Sequence, residues 1–121
     1  MSKKILVIDD DPKMLVVERT ILSQAGFSVE TASDGVEGLE KLKAASFDGI
    51  VLDVMMPRMD GYETAKQIKK LDAHKSTPIV MVTASTERGA MSQGFNSGAV
   101  VFMNKPFTAK KFLAMIQTIT R

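Results

Sequence analysis

The sequence predicts an open α/β sheet of parallel strands with helices on both faces. Three observations predict it. Four apolar runs of strand length, Ile5–Ile8, Gly49–Leu52, Ile79–Val82 and Val100–Met103, are continuous rather than alternating. That is the pattern of strands buried on both faces. Segments of helical periodicity separate the runs. Counting a weaker run around Val29, strand and helix alternate five times, which gives a sheet covered by helices on both sides.

The elements follow in order. The first strand runs directly into three aspartates in "ILVIDDDP", residues 5–12. A first helix carries the stripe Met14, Val17, Ile21, Leu22 and Ala25 and is closed by Gly26. After the strand around Val29, Val36, Leu39 and Leu42 mark a second helix. The third strand ends at Asp53, and Ala65, Ile68 and Leu71 mark the third helix, with Asp60-Gly61 as a turn before it. His74, in "LDAHKS", reads as a solvated helix end. The fourth strand leads to Thr83. Residues 85–99, "STERGAMSQGFNSGA", should hold a fourth helix, weakened by Gly89, Gly94 and Gly98. The fifth strand leads to Asn104, Lys105 and Pro106. Phe112, Leu113, Ile116 and Ile119 mark the last helix, with Thr108 as its N-cap.

Bulk properties narrow the function. A chain of 121 residues suits a single domain, expected over 1–121. It has no apolar stretch of about 18 residues and no signal-peptide pattern, so no membrane role and a cytoplasmic location are expected. The absence of cysteine excludes disulfides and thiolate catalysis. A net charge of +2 is too small to argue for direct nucleic-acid binding. Charge is unevenly spread: residues 1–87 sum to −3 and residues 88–121, which hold no acid, to +5.

In an open parallel sheet, ligands bind at the carboxyl ends of the strands. Those ends carry Asp9 and Asp10, Asp53, Thr83, and Lys105. Three carboxylates, a hydroxyl and an ammonium would converge on one edge. Adjacent carboxylates repel, by about 4 kcal/mol at 4 Å near a protein surface. Either Asp11 caps the helix and the other two face solvent, or the cluster holds a cation. Carboxylates without His or Cys favour a hard ion such as Mg²⁺, with Mn²⁺ as an alternative. A carboxylate beside such an ion can attack phosphorus to give an aspartyl phosphate. The hydroxyl and ammonium can pair with phosphoryl oxygens. No Walker loop or dinucleotide turn is present, so another molecule must supply the phosphoryl group.

Four segments, "ILVIDDDP" (5–12), "GIVLDVMMPRMDGYE" (49–63), "PIVMVTA" (78–84) and "GAVVFMNKPF" (98–107), together resemble the receiver domain of bacterial two-component response regulators. The resemblance covers essentially the whole chain and is closest in kind to single-domain, chemotaxis-type regulators. It implies a flavodoxin-like five-stranded parallel sheet with Asp53 as phosphoacceptor. It implies that Asp10 binds Mg²⁺ directly, Asp9 through water, and the Met55 backbone carbonyl as a third protein ligand. It assigns Thr83 and Lys105 to the phosphoryl oxygens, makes Thr83 and Phe102 the switch pair, and makes the Lys105–Pro106 bond cis. Asp11 is then the helix cap.

The resemblance further implies a phosphoacceptor that assists its own phosphorylation and dephosphorylation rather than an enzyme with a separate substrate. Its partners would be a sensor histidine kinase or histidine phosphotransfer protein and a downstream protein. The target face would be helix 4, strand 5 and helix 5. With Val100 and Val101 on that face and no acid after Glu87, a self-complementary ion-pair dimer is disfavoured. Two other readings are weaker. A haloacid-dehalogenase-type phosphatase needs an acid two residues after the nucleophile, where Met55 stands. A flavodoxin-like cofactor binder needs a Ser/Thr/Gly-rich loop where this chain has aspartates.

Overall fold

The computed structural model describes residues 2–54, 60–83 and 101–121. Its five strands are β1 (Lys4–Ile8), β2 (Ser28–Ala32), β3 (Gly49–Asp53), β4 (Ile79–Thr83) and β5 (Val101–Asn104). All pairings are parallel, in the order β2-β1-β3-β4-β5. The helices are α1 (Pro12–Gln24), α2 (Gly35–Ala44), α3 (Gly61–Lys69) and a C-terminal helix (Ala109–Ile119), with a 3₁₀ turn at Asp72–His74. This is the predicted flavodoxin-like architecture. Strands β3 and β4 each run one residue further than their apolar runs, so Asp53 and Thr83 are the last residues of their strands.

Alternation along the strands divides the core. Leu6, Ile8, Ile50 and Leu52 pack with Leu39, Leu42, Ala65 and Ile68 on the α2/α3 side. Ile5, Val7, Val51, Val80 and Val82 pack with Leu22, Phe112 and Ile116 on the other. Capping sets where the helices start. Asp11, Asp34, Asp60 and Thr108 accept from the backbone N–H of Lys13, Glu37, Glu63 and Lys111 respectively. Asp11 is therefore the cap, and Asp60 does more than turn the chain. Helix α1 stops at Gly26, whose φ of 97° is open to glycine without a Cβ clash.

Several expectations are corrected: Ala25 and Val36 are exposed rather than part of the buried stripes of the first two helices. Val17 does not belong to the buried stripe of α1: it is 45% exposed, while Glu18 is 1% exposed. The inward face is rotated by one residue, so an acid occupies the place of an apolar side chain. His74 is not a solvated helix end but fully buried. Its Nε2–H donates to the carbonyls of Leu42 (3.1 Å) and Ala45 (3.3 Å), and Nδ1 accepts from the Thr77 hydroxyl at 3.1 Å. It thus serves the last carbonyls of α2, which have no partner within the helix. His74→Ala should lower unfolding free energy by roughly 2–4 kcal/mol, from the cavity and the unpaired carbonyls together, as read by urea titration.

The predicted fourth helix with Gly89, Gly94 and Gly98, and Met55, Met56, Met59 and Val100, lie outside the described residues.

Candidate functional site

The chain crosses from β2 back over β1 to reach β3, so strand order reverses between β1 and β3. A crevice opens at the carboxyl ends there. Asp9 follows β1 and Asp53 ends β3; both are buried, while Asp10 is exposed. One carboxylate oxygen from each of Asp9, Asp10 and Asp53 lies within 4.8 Å of the others.

Backbone contacts hold these groups in place. Asp9 N–H donates to the Ala32 carbonyl at 3.1 Å, and Asp11 N–H donates to Asp9 Oδ1 at 2.9 Å. Val54 N–H donates to Val82 O at 3.0 Å, and Gly61 N–H to Val54 O at 2.9 Å. A Cβ on Gly61 would stand 2.5 Å from the Asp53 carbonyl oxygen and 2.7 Å from Val54 Cα. Glycine lets the start of α3 press against the backbone that carries Asp53. Gly61→Ala should therefore destabilise by about 1–3 kcal/mol, measured by denaturant unfolding.

From the other side, Lys105 N–H donates to the Thr83 carbonyl at 2.8 Å, and the Lys105–Pro106 bond is cis. Lys105 Nζ stands 3.6 Å from Asp53 Oδ1 and 3.8 Å from Asp9 Oδ2. Thr83 is buried beside this edge, in register with Asn104. Phe102 is half-buried against the α2/α3 side of the core. The structure thus brings together Asp9, Asp10, Asp53 and Lys105, with Thr83 at the neighbouring strand end.

Burial pushes the Asp9 carboxyl above its usual range, and Asp10 adds to this. The Asp11 N–H, the Lys105 ammonium and a side-chain hydrogen bond with Asp53 oppose the shift. Among the described residues one ammonium faces three carboxylates, two of them buried, so these ionised groups sum to a charge of −2. An all-oxygen donor set with surplus negative charge fits a hard divalent cation.

Sequence reasoning missed Glu18. Its carboxyl feels Asp9, Asp53 and Lys105, and its Oε2 is buried with no hydrogen-bond partner. The available signal was its spacing, four residues after Met14 and four before Leu22, which places it on their face of α1.

Residues 5–117 match the family described as response regulator receiver domain. The chain belongs to that family. As a receiver domain it is the phosphoacceptor signalling domain of two-component response regulators. It is 40% identical over its whole length to the alkaline phosphatase synthesis transcriptional regulatory protein PhoP of Bacillus subtilis, covering 50% of that protein. It is 39% identical over 98% of its length to the transcriptional regulatory protein CpxR homolog of Haemophilus influenzae, again covering 50%. The receiver domain thus spans about half the length of these relatives. The solved structure of chemotaxis protein CheY4 of Vibrio cholerae superposes with a TM-score of 0.95 at 36% identity, over 98% of this chain and 99% of that one. The phosphatase reading is not favoured. Among the described residues no helix is long and apolar enough to cross a membrane.

Proposed function

We propose that this receiver domain, spanning residues 1–121, accepts a phosphoryl group on Asp53 and thereby switches a protein-binding face. One juxtaposition supports this most strongly: a buried strand-end aspartate with an ammonium 3.6 Å from its carboxylate and two more carboxylates beside it. An Asp53 oxygen attacks phosphorus. The O–P bond forms as the donor's P–N or P–O bond breaks, and the leaving group departs with the electron pair. Lys105 leaves its long contacts for a phosphoryl oxygen, and the Thr83 hydroxyl donates to another.

Asp10 directly, Asp9 through water, and the Met55 carbonyl would hold Mg²⁺, or Mn²⁺ in its place, together with Asp53. When bound, the ion neutralises charge on the phosphoryl oxygens. No separate substrate is turned over; the same groups assist loss of the phosphoryl group to water.

The donor is a sensor histidine kinase or a histidine phosphotransfer protein. A groove of about 480 Å³ is lined by Met14, Val17, Lys105, Pro106 and Phe107. Its apolar walls suit a helical donor surface. Thr83 and Phe102 relay the change to the face formed by strand β5 and its neighbouring helices, where a downstream protein binds.

Incubation with acetyl phosphate and Mg²⁺ should add one phosphoryl group to the wild-type protein by intact mass and none to Asp53→Asn. Equal modification of the two would overturn the assignment.

A further inference from the structure

Only part of the apolar stripe of α1 enters the core. Leu22 is fully buried, but Ile21 and Ala25 line a groove of about 400 Å³, together with Gln24 and with Ala109, Lys110 and Leu113 of the C-terminal helix. Ile21 and Leu113 are half-buried, and Ala25 and Ala109 are exposed, so the floor of the groove is apolar. It shares no residue with the groove assigned above to the donor, which takes Met14 and Val17 of the same helix. Helix α1 starts at Pro12, and a rise of 1.5 Å per residue places Ile21 and Gln24 roughly 13–18 Å further along it.

The rim carries one sign of charge. The exposed charged residues of the two helices are Lys13 and Arg19 on α1 and Lys110 and Lys111 on the C-terminal helix. The one acid of these helices, Glu18, is buried. Lys3 borders Ala25 in a neighbouring hollow. Lys3, Lys110 and Lys111 make no ion pair among the described residues. The nearest acids along the chain are otherwise engaged or distant: Glu30 pairs with Lys4 at 2.9 Å, and Asp10 and Asp11 stand at the other end of α1.

We propose that the groove between α1 and the C-terminal helix is a docking site for an acidic amphipathic helix of a partner protein. The partner's apolar stripe sits against Ile21, Ala25 and Leu113, and its flanking carboxylates pair with Lys110 and Lys111. A helix laid in a groove needs an apolar seat for residues spaced i, i+3 and i+4, and rim charges that fix its register. This groove has both. Its charge selects the occupant. A second copy docked symmetrically through the same face would set cations against cations. A nucleic-acid strand would use the lysines and leave the apolar floor empty. The seat needs neither Asp53 nor a metal, so it stands apart from the phosphoacceptor assignment.

The test titrates the isotope-labelled protein with a synthetic peptide of about 15 residues, long enough to hold a helix, with leucine at helical spacing and glutamate elsewhere. A twin peptide carries lysine in place of every glutamate. In amide NMR spectra the glutamate peptide should shift the residues lining the groove, and it should bind at least about tenfold more tightly than the lysine twin. Lys110→Glu with Lys111→Glu should invert that preference. Both positions are exposed and lie in the first turn of the C-terminal helix, where acids suit the helix dipole, so the double variant should fold. Asp53→Asn should bind the glutamate peptide as wild type does. Shifts confined to other surfaces, equal binding of the two peptides, an unaltered preference in the double variant, or loss of binding in Asp53→Asn would each overturn the proposal. Phosphatidylglycerol vesicles that shift the groove amides where the glutamate peptide does not would assign the face to a membrane surface and overturn it as well.

Discussion

Replacing Asp10 with asparagine, or chelating divalent ions, is expected to slow phosphorylation by acetyl phosphate on the order of a hundredfold, the scale on which one electrostatic stabiliser of a transition state acts. The proposed site gathers three carboxylates around one ammonium, and an incoming phosphoryl group adds further negative charge. Among the described residues only Lys105 offsets this, and it already divides its charge between Asp9 and Asp53 at 3.8 and 3.6 Å. On the proposed reading a divalent cation supplies the remaining positive charge, with Asp10 as its most accessible anchor. Because Asp10 is exposed, the substitution should change unfolding free energy by no more than about 0.5 kcal/mol. Rate and stability therefore separate the readings: a slow but folded variant supports a cation site, and an unfolded one supports a purely structural role.

Glu18→Leu should make the protein more stable, and increasingly so as pH rises. A carboxyl whose folded-state value is about 8 against an ordinary 4.5 holds its proton more tightly when folded. Between those values the folded state binds more protons than the unfolded, so stability falls as pH rises, by at most about 1.4 kcal/mol per pH unit for one group. The penalty is absent below the ordinary value and complete above about pH 8. Leucine removes it and fits the apolar surroundings of Leu22 and Phe112. By about pH 8 the slope accumulated over that interval brings the expected gain to on the order of 4 kcal/mol. Asp9 is also shifted upward and gives a slope of the same sign, so the quantity to measure is the difference between variant and wild type in urea unfolding at several pH values.

The strand ends were legible because parallel strands leave all their carboxyl termini on one edge. Once Ile5–Ile8, Gly49–Leu52 and Ile79–Val82 were read as strands, Asp9, Asp53 and Thr83 had to be neighbours in space. The glycine after Asp60 was legible as a break but not as a contact, because the Asp53 carbonyl that excludes a side chain there is supplied by the fold. Helix phase was less legible. Val17 and Glu18 are adjacent in sequence but about 100° apart on a helix, and the stripe that gathers the most apolar residues takes Val17. The fold instead turns Glu18 inward, where the desolvation cost is met by keeping the proton. His74 escaped for a related reason: the carbonyls it serves, Leu42 and Ala45, lie 32 and 29 residues away. No local pattern reports such a pairing.

The central claim is that Asp53 is the residue modified. Treating the domain with acetyl phosphate and Mg²⁺, reducing the acyl phosphate with borohydride and sequencing the peptides by mass spectrometry tests it most directly. The account predicts homoserine at position 53, with Asp9 and Asp10 recovered as aspartate; homoserine at position 9 or 10, with position 53 unchanged, would contradict it.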